Sequence, residues 1–277
     1  MGNILVFDTS VASTNLGDQI ILDSVKENLN CIFPKERFFN TPTHEIVSRS
    51  TYRLNKISNF SFVAGTNLLS SNMNKYRQWK VSYIDSLFIK NVILFGVGWW
   101  QYQNKPNIYT KILLRRLLSK NFIHSVRDSY TETQLKSLGL NNIINTGCPT
   151  TWKLSKEHCD QIPATKSNSV IFTLTDYNKD FKADKFLIDF LKKSYKKIYF
   201  WPQGDGDLNY LMKFDTSKIE ILSQSLEGYD YLLRSKENLD YIGTRLHAGI
   251  RALQFKRKSI IVGIDNRAKE ISKDINL

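Results

Sequence analysis

The amino-acid sequence predicts an α/β fold made of two doubly wound, Rossmann-like domains facing a cleft. Short apolar runs alternate with amphipathic helical patterns along the whole chain, the order that yields parallel sheets covered by helices. A polar stretch at 156–168 breaks that alternation midway, and the alternation then restarts. The expected organisation is an N-terminal Rossmann-like domain at 1–155, a linker at 156–168 and a C-terminal Rossmann-like domain at 169–277.

In the first half, apolar runs bounded by turn residues predict strands at 4–8, 60–64, 92–96, 122–126 and 142–146. Helical periodicity between them predicts helices at 18–29, 76–88, 108–118 and 129–138. In the second half the same criteria predict strands at 170–174, 197–201, 219–222, 239–242 and 259–264. They predict helices at 181–195, 207–214, 227–234 and 247–255, and a short closing helix.

Composition narrows the function classes. With 277 residues, 42% of them hydrophobic, the chain has ample apolar content for buried cores. No run approaches the ~18 consecutive apolar residues of a membrane span. The start, Met1-Gly2-Asn3-Ile4-Leu5-Val6, reads as a first strand rather than a secretory signal. Val6 stands where a myristoylation signal carries a hydroxyl. Cys31, Cys148 and Cys159 lack the spacing of a disulfide framework or metal knuckle, which fits a reduced, cytoplasmic protein. His44, His124, His158 and His247 are scattered without metal-ligand spacing, so no metal is expected.

The net charge of +13 comes from short clusters such as Lys192-Lys193, Lys196-Lys197 and Lys256-Arg257-Lys258. No nucleic-acid-binding signature accompanies them, so nucleic acid is not an expected partner. The expectations left are a solvated helix face or a peripheral contact with an anionic membrane surface.

The chemistry concentrates at predicted strand ends. Gly243-Thr244-Arg245-Leu246-His247-Ala248 follows a strand and opens a helix. It combines a fixed cation, a titratable imidazole and the positive end of a helix, which together suit an anionic small molecule. Arg127-Asp128 repeats part of that chemistry at another strand end, where an ion pair within the motif is the plainer alternative. Asn15-Leu16-Gly17-Asp18, Gly65-Thr66-Asn67 and the turn holding Gln203 supply further small polar groups, each also explicable as capping or loop chemistry. Neither GxGxxG nor GxxxxGK[ST] occurs, so the sequence supports no dinucleotide site and no P-loop.

Taken together, Asn15-Leu16-Gly17-Asp18, Ser125-Val126-Arg127-Asp128 and Gly243-Thr244-Arg245-Leu246-His247-Ala248 resemble the polysaccharide pyruvyl transferase family, in its order and spacing, over nearly the whole chain. The resemblance implies a GT-B-like fold and transfer of pyruvate from phosphoenolpyruvate onto a sugar as a ketal. It implies catalytic roles for Arg127, Arg245 and His247. The arginines would clamp the phosphate and carboxylate from opposite sides of the cleft, which suits their forked geometry. Asn15, Gly17, Asp18, Gly65, Thr66, Asn67, Asp128, Gln203 and Leu246 would bind substrate.

No cofactor is implied beyond phosphoenolpyruvate as donor substrate. The implied acceptor is a sugar of a bacterial surface polysaccharide or its lipid-linked oligosaccharide precursor, met in the cytoplasm at the inner face of the membrane. The chain departs from the family's common pattern at Gly65-Thr66-Asn67, at Cys148-Pro149 and at Ile264-Asp265-Asn266-Arg267. Two other readings share these residues: a GT-B glycosyltransferase using a nucleotide-activated sugar, and an inactive binding subunit of a glycan assembly complex.

Overall fold

A computed structural model describes residues 2–275; Met1, Asn276 and Leu277 lie outside the described residues, and with them the outer ends of the two expected domains. The chain divides into two compact units. Among the described residues, unit 1 comprises 2–13, 21–149 and 269–275, and unit 2 comprises 14–20 and 150–268. The stretch expected as a linker, 156–168, therefore falls inside unit 2. It carries a short helix, Lys156–Cys159, and its His158 Nε2 lies 2.8 Å from the Leu253 carbonyl oxygen.

Unit 1 contains a parallel sheet of β1 (Asn3–Asp8), β2 (Arg37–Pro42), β3 (Phe60–Ala64), β4 (Val92–Val97), β5 (His124–Val126) and β6 (Ile143–Asn145), in the order β2-β1-β3-β4-β5-β6. Its inner strands are rich in buried apolar residues because helices cover both faces of a parallel sheet, and β4 is buried at every position. The core gathers Leu5, Phe7, Val63, Leu94, Trp79 and Trp99 with Leu113 and Leu117 from helix α4 (Ile108–Leu117). The chain direction across the sheet reverses between β1 and β3, the switch point where such sheets leave a crevice at their carboxyl ends.

Unit 2 repeats the plan with β7 (Ser169–Thr173), β8 (Lys197–Phe200), β9 (Ile219–Ile221), β10 (Leu239–Gly243) and β11 (Ser259–Ile261), in the order β11-β10-β7-β8-β9. Here the switch lies between β7 and β10, which pair from Leu239↔Ser169 to Gly243↔Thr173. The fold class is thus α/β with two parallel sheets. Helix starts follow local capping chemistry: Asp128 accepts from Thr131 N at 2.7 Å at the head of α5 (Ser129–Ser137). Asp180 does the same from Ala183 N at 3.0 Å for α7 (Phe181–Ser194).

Three further elements differ from expectation. β2 is an edge strand of irregular burial ending in Pro42, and it lacks the alternation that marks a strand. Helix α2 (Arg49–Ile57) buries only Thr51, so its apolar signal is faint. The helix expected at 76–88 shrinks to α3 (Asp85–Phe88) because tertiary contacts override its periodicity. Trp79 packs edge-on against Phe7 at 5.5 Å, and Lys80 N bonds the Thr43 carbonyl at 2.8 Å. Ser82 and Asp85 then exchange hydrogen bonds (Ser82 N to Asp85 Oδ2, 2.6 Å; Asp85 N to Ser82 Oγ, 3.3 Å) and begin the turn late.

His124, fully buried in β5, has a structural role. Its Nδ1 accepts from Leu94 N at 3.1 Å, so Nε2 carries the proton and donates to the Ser119 carbonyl at 2.8 Å. Burial pushes its pKa down, opposed by the Ser119 contact. The folded state therefore holds His124 neutral while the unfolded chain protonates it near pH ~6.5. Stability from this group is complete above that value and is lost as pH falls through the lower folded pKa. Denaturant midpoints measured across that window are expected to fall with acidification, and to fall less in His124→Gln.

Candidate functional site

The carboxyl ends of β7, β8 and β10 assemble a charged cluster in unit 2. Arg245 follows β10 and occupies the N-cap position of α10 (Leu246–Gln254), with its backbone N bonded to Thr173 Oγ1 at 3.2 Å. Its guanidinium is almost fully buried. Nε donates to Asp207 Oδ2 at 3.0 Å; Nη2 donates to Asp176 Oδ1 at 3.0 Å and, at short range, to Asp207 Oδ1. The face of the guanidinium stands 5.0 Å from the centre of the Tyr177 ring. Nη1 has no protein partner among the described residues.

Asp207 is the anchor of this arrangement. It is fully buried, yet its oxygens also accept from the backbone N–H groups of Gln203 (3.1 Å), Gly204 (2.8 Å) and Asp176 (3.2 Å). Burial pushes its carboxyl above the usual carboxylate range, while Arg245 and these donors pull the other way. Gly204 is required by packing: a Cβ there would stand 2.4 Å from Arg245 Nη2.

The N-terminal motif joins the same cluster. Asn15 Oδ1 accepts from Gln203 Nε2 at 2.8 Å and from Gly17 N at 3.0 Å, and Leu16 N bonds the Gln203 carbonyl at 3.0 Å. Gln203 keeps its Oε1 buried without a hydrogen-bond partner. Asp18 is buried at the start of α1 (Leu16–Ile32), and its charge acts on Arg267. Arg267, in α11 (Asn266–Ile275), bonds Asp265 Oδ2 through Nε at 2.8 Å and reaches the Tyr177 hydroxyl through Nη2. Although burial opposes it, Asp265 holds the Arg267 pKa above its ordinary value. Leu246 and His247 are both buried in the first turn of α10.

Unit 1 builds a smaller counterpart at the end of β5. The Arg127 side chain is fully buried; Nε donates to Asp128 Oδ2 at 3.3 Å and Nη2 donates at short range to Asn67 Oδ1. Its Nη1 is buried and unpartnered. A Cβ at Gly98 would come within 2.2 Å of Arg127 Nε, so only glycine lets the β4 turn close over the guanidinium. Thr66 ties the turn after β3 to the same place, its carbonyl accepting from Gly98 N at 2.9 Å. Gly65 packs against the Gly96 carbonyl.

Within unit 2 the structure therefore brings together Asn15, Gly17, Asp18, Gln203, Arg245, Leu246 and His247; within unit 1 it brings together Gly65, Thr66, Asn67, Arg127 and Asp128. Sequence reasoning missed Asp176, Asp207, Tyr177, Asp265 and Arg267 as members of the cluster. A signal existed for Asp176, which lies two residues past the strand expected at 170–174, where an arginine needs a counter-ion.

Fold and sites define the class: a two-sheet parallel α/β protein with an arginine at a strand end in each sheet. The sequence profile of the family described as polysaccharide pyruvyl transferase matches residues 15–266, and the chain belongs to that family. Membership makes it a transferase acting on polysaccharide. No curated protein matches the chain. Among solved structures it is similar to UDP-GlcNAc 2-epimerase from Neisseria meningitidis bound to UDP-GlcNAc, with 12% identity over 98% of this chain and 85% of that one and a TM-score of 0.48. It is also similar to the wall teichoic acid polymerase TagF, with 13% identity over 98% of this chain and 72% of that one and a TM-score of 0.44.

Proposed function

We propose that this chain transfers the pyruvyl group of phosphoenolpyruvate to a sugar of a bacterial surface polysaccharide, or of its lipid-linked precursor, forming a pyruvate ketal and releasing phosphate. The observation that carries this reading is the unpartnered Nη1 on both motif arginines. Each guanidinium has its Nε and Nη2 held by protein oxygens and its orientation fixed, while one NH₂ group remains for a ligand. Phosphoenolpyruvate offers a phosphate and a carboxylate, the anions such donors match. Pre-orientation means that little reorganisation accompanies charge development.

The chemistry needs a proton delivered to the enol methylene carbon and addition of one sugar hydroxyl at the adjacent carbon. Phosphate then departs, and a second hydroxyl adds to close the ketal; each hydroxyl loses its proton as its C–O bond forms. His247 serves as the proton-transfer group, the role an imidazole fills near neutral pH. Gln203 Oε1, buried and unpartnered, is suited to accept from an acceptor hydroxyl. The reaction takes place in the cytoplasm, where lipid-linked acceptors are met at the membrane face.

The test incubates the full chain with isotope-labelled phosphoenolpyruvate and bacterial glycan acceptors, and in parallel with nucleotide sugars. Acceptor-dependent phosphate release with label appearing in the glycan is the expected result. Sugar transfer from a nucleotide sugar, with phosphoenolpyruvate left untouched, overturns the reading. His247→Ala is expected to lower phosphate release by about 10²–10⁴, with circular dichroism unchanged.

A further inference from the structure

Helix α7 carries apolar side chains on opposite faces. Ile188 and Leu191 point into the core of unit 2 and are buried, as a helix covering a parallel sheet requires. One turn apart on the other face, Phe186 and Phe190 are 74% and 46% exposed. At 3.6 residues per turn, Lys182 and Lys193 fall on that same outer face, and Lys196 follows just beyond the helix. All three lysines are exposed, and among the described residues their side chains have no ion-pair or hydrogen-bond partner. Their neighbours differ: Lys185 is paired with Asp189 at 2.7 Å and Lys192 with Asp215 at 2.6 Å.

We infer that this outer face of α7 docks the protein on an anionic lipid bilayer, with Phe186 and Phe190 entering the headgroup boundary and Lys182, Lys193 and Lys196 meeting lipid phosphates. A helix with aromatic residues on one face and lysines around them is the composition of an interfacial element, which gains from apolar burial and from attraction to anionic lipid together. The lysine stems lie along the apolar surface while their ammonium groups reach the headgroups. A second copy of the chain is a poor occupant, because each copy carries a net charge of +13 and the one carboxylate on this face, Asp189, is paired with Lys185, which leaves Lys182, Lys193 and Lys196 as its surplus charge. Nucleic acid would use the lysines and leave Phe186 in water. No helix among the described residues is long and apolar enough to cross a membrane, so contact through α7 is of the peripheral kind. The inference extends the lipid-linked part of the pyruvyl-transfer reading, and its test measures binding without turnover, so either can fail alone.

The experiment is co-sedimentation of the full chain with vesicles of phosphatidylglycerol and phosphatidylcholine, against phosphatidylcholine alone. Wild type is expected to bind the anionic vesicles, less so as salt rises, and to leave the neutral ones. Each lysine near such a surface is worth about fivefold in partitioning, so Lys182→Glu with Lys193→Glu is expected to weaken binding by at least about tenfold. Phe186→Ser with Phe190→Ser is expected to weaken it comparably, with an unchanged melting curve. Independently, tryptophan at Phe190 is expected to shift its emission to the blue on anionic vesicles and to be quenched by brominated lipid. The inference is overturned by wild-type binding that both double variants retain, by absence of binding to anionic vesicles, by a Phe190→Trp signal that vesicles do not move, or by self-association that the phenylalanine variants abolish.

Discussion

Arg245→Ala is expected to lower phosphate release from phosphoenolpyruvate by about 10²–10³, the usual cost of one oriented charge-stabilising group. It is also expected to destabilise unit 2, because it leaves Asp207 fully buried without its cation. Breaking one side of a buried pair costs about 3–5 kcal/mol, and urea denaturation followed by circular dichroism reads that loss. Stability and catalysis can be separated at this pair. Adding Asp207→Asn to Arg245→Ala removes the stranded charge and keeps an oxygen for the backbone donors of Gln203, Gly204 and Asp176. The double variant is expected to regain stability while staying inactive. Recovery of turnover along with stability would assign Arg245 to architecture alone.

Arg127→Ala is expected to produce the second large effect, again about 10²–10³ in rate, read by the same phosphate assay. Arg127→Lys is the sharper form of the test. Lysine keeps the positive charge but lacks the fork that spans Asp128 and Asn67 while leaving Nη1 unpartnered. It is therefore expected to recover little activity. Wild-type turnover in Arg127→Lys would show that charge alone suffices and that the buried Nη1 has no part in the reaction.

Much of the fold was readable because parallel strands covered on both faces are predominantly apolar. Asn3–Asp8, Phe60–Ala64, Val92–Val97 and Leu239–Gly243 all stood out for that reason. Arg37–Pro42 did not, since an edge strand needs no such run. Residues 76–84 misled because aromatic spacing set by the insertion of Trp79 mimics helical periodicity. The motif residues were legible for a related reason: Arg127 and Arg245 each stand just after an apolar strand run and just before a helix.

Sequence alone determined the alternation of strands and helices, the capping residues, the three ordered motifs and the family they indicate. These depend on local propensity, burial on both faces of a sheet and fixed spacing along the chain. Only tertiary structure decided which groups share a site. Asp176, the Gln203–Asp207 turn and Arg245 are far apart in the chain and meet because β7, β8 and β10 are neighbours in one sheet, and Asn15 joins them through Gln203. Only tertiary structure showed that each motif arginine has one edge held and one NH₂ without a protein partner among the described residues. A guanidinium's partners are set by the packing of loops from separate strands, and local sequence holds no record of that distance.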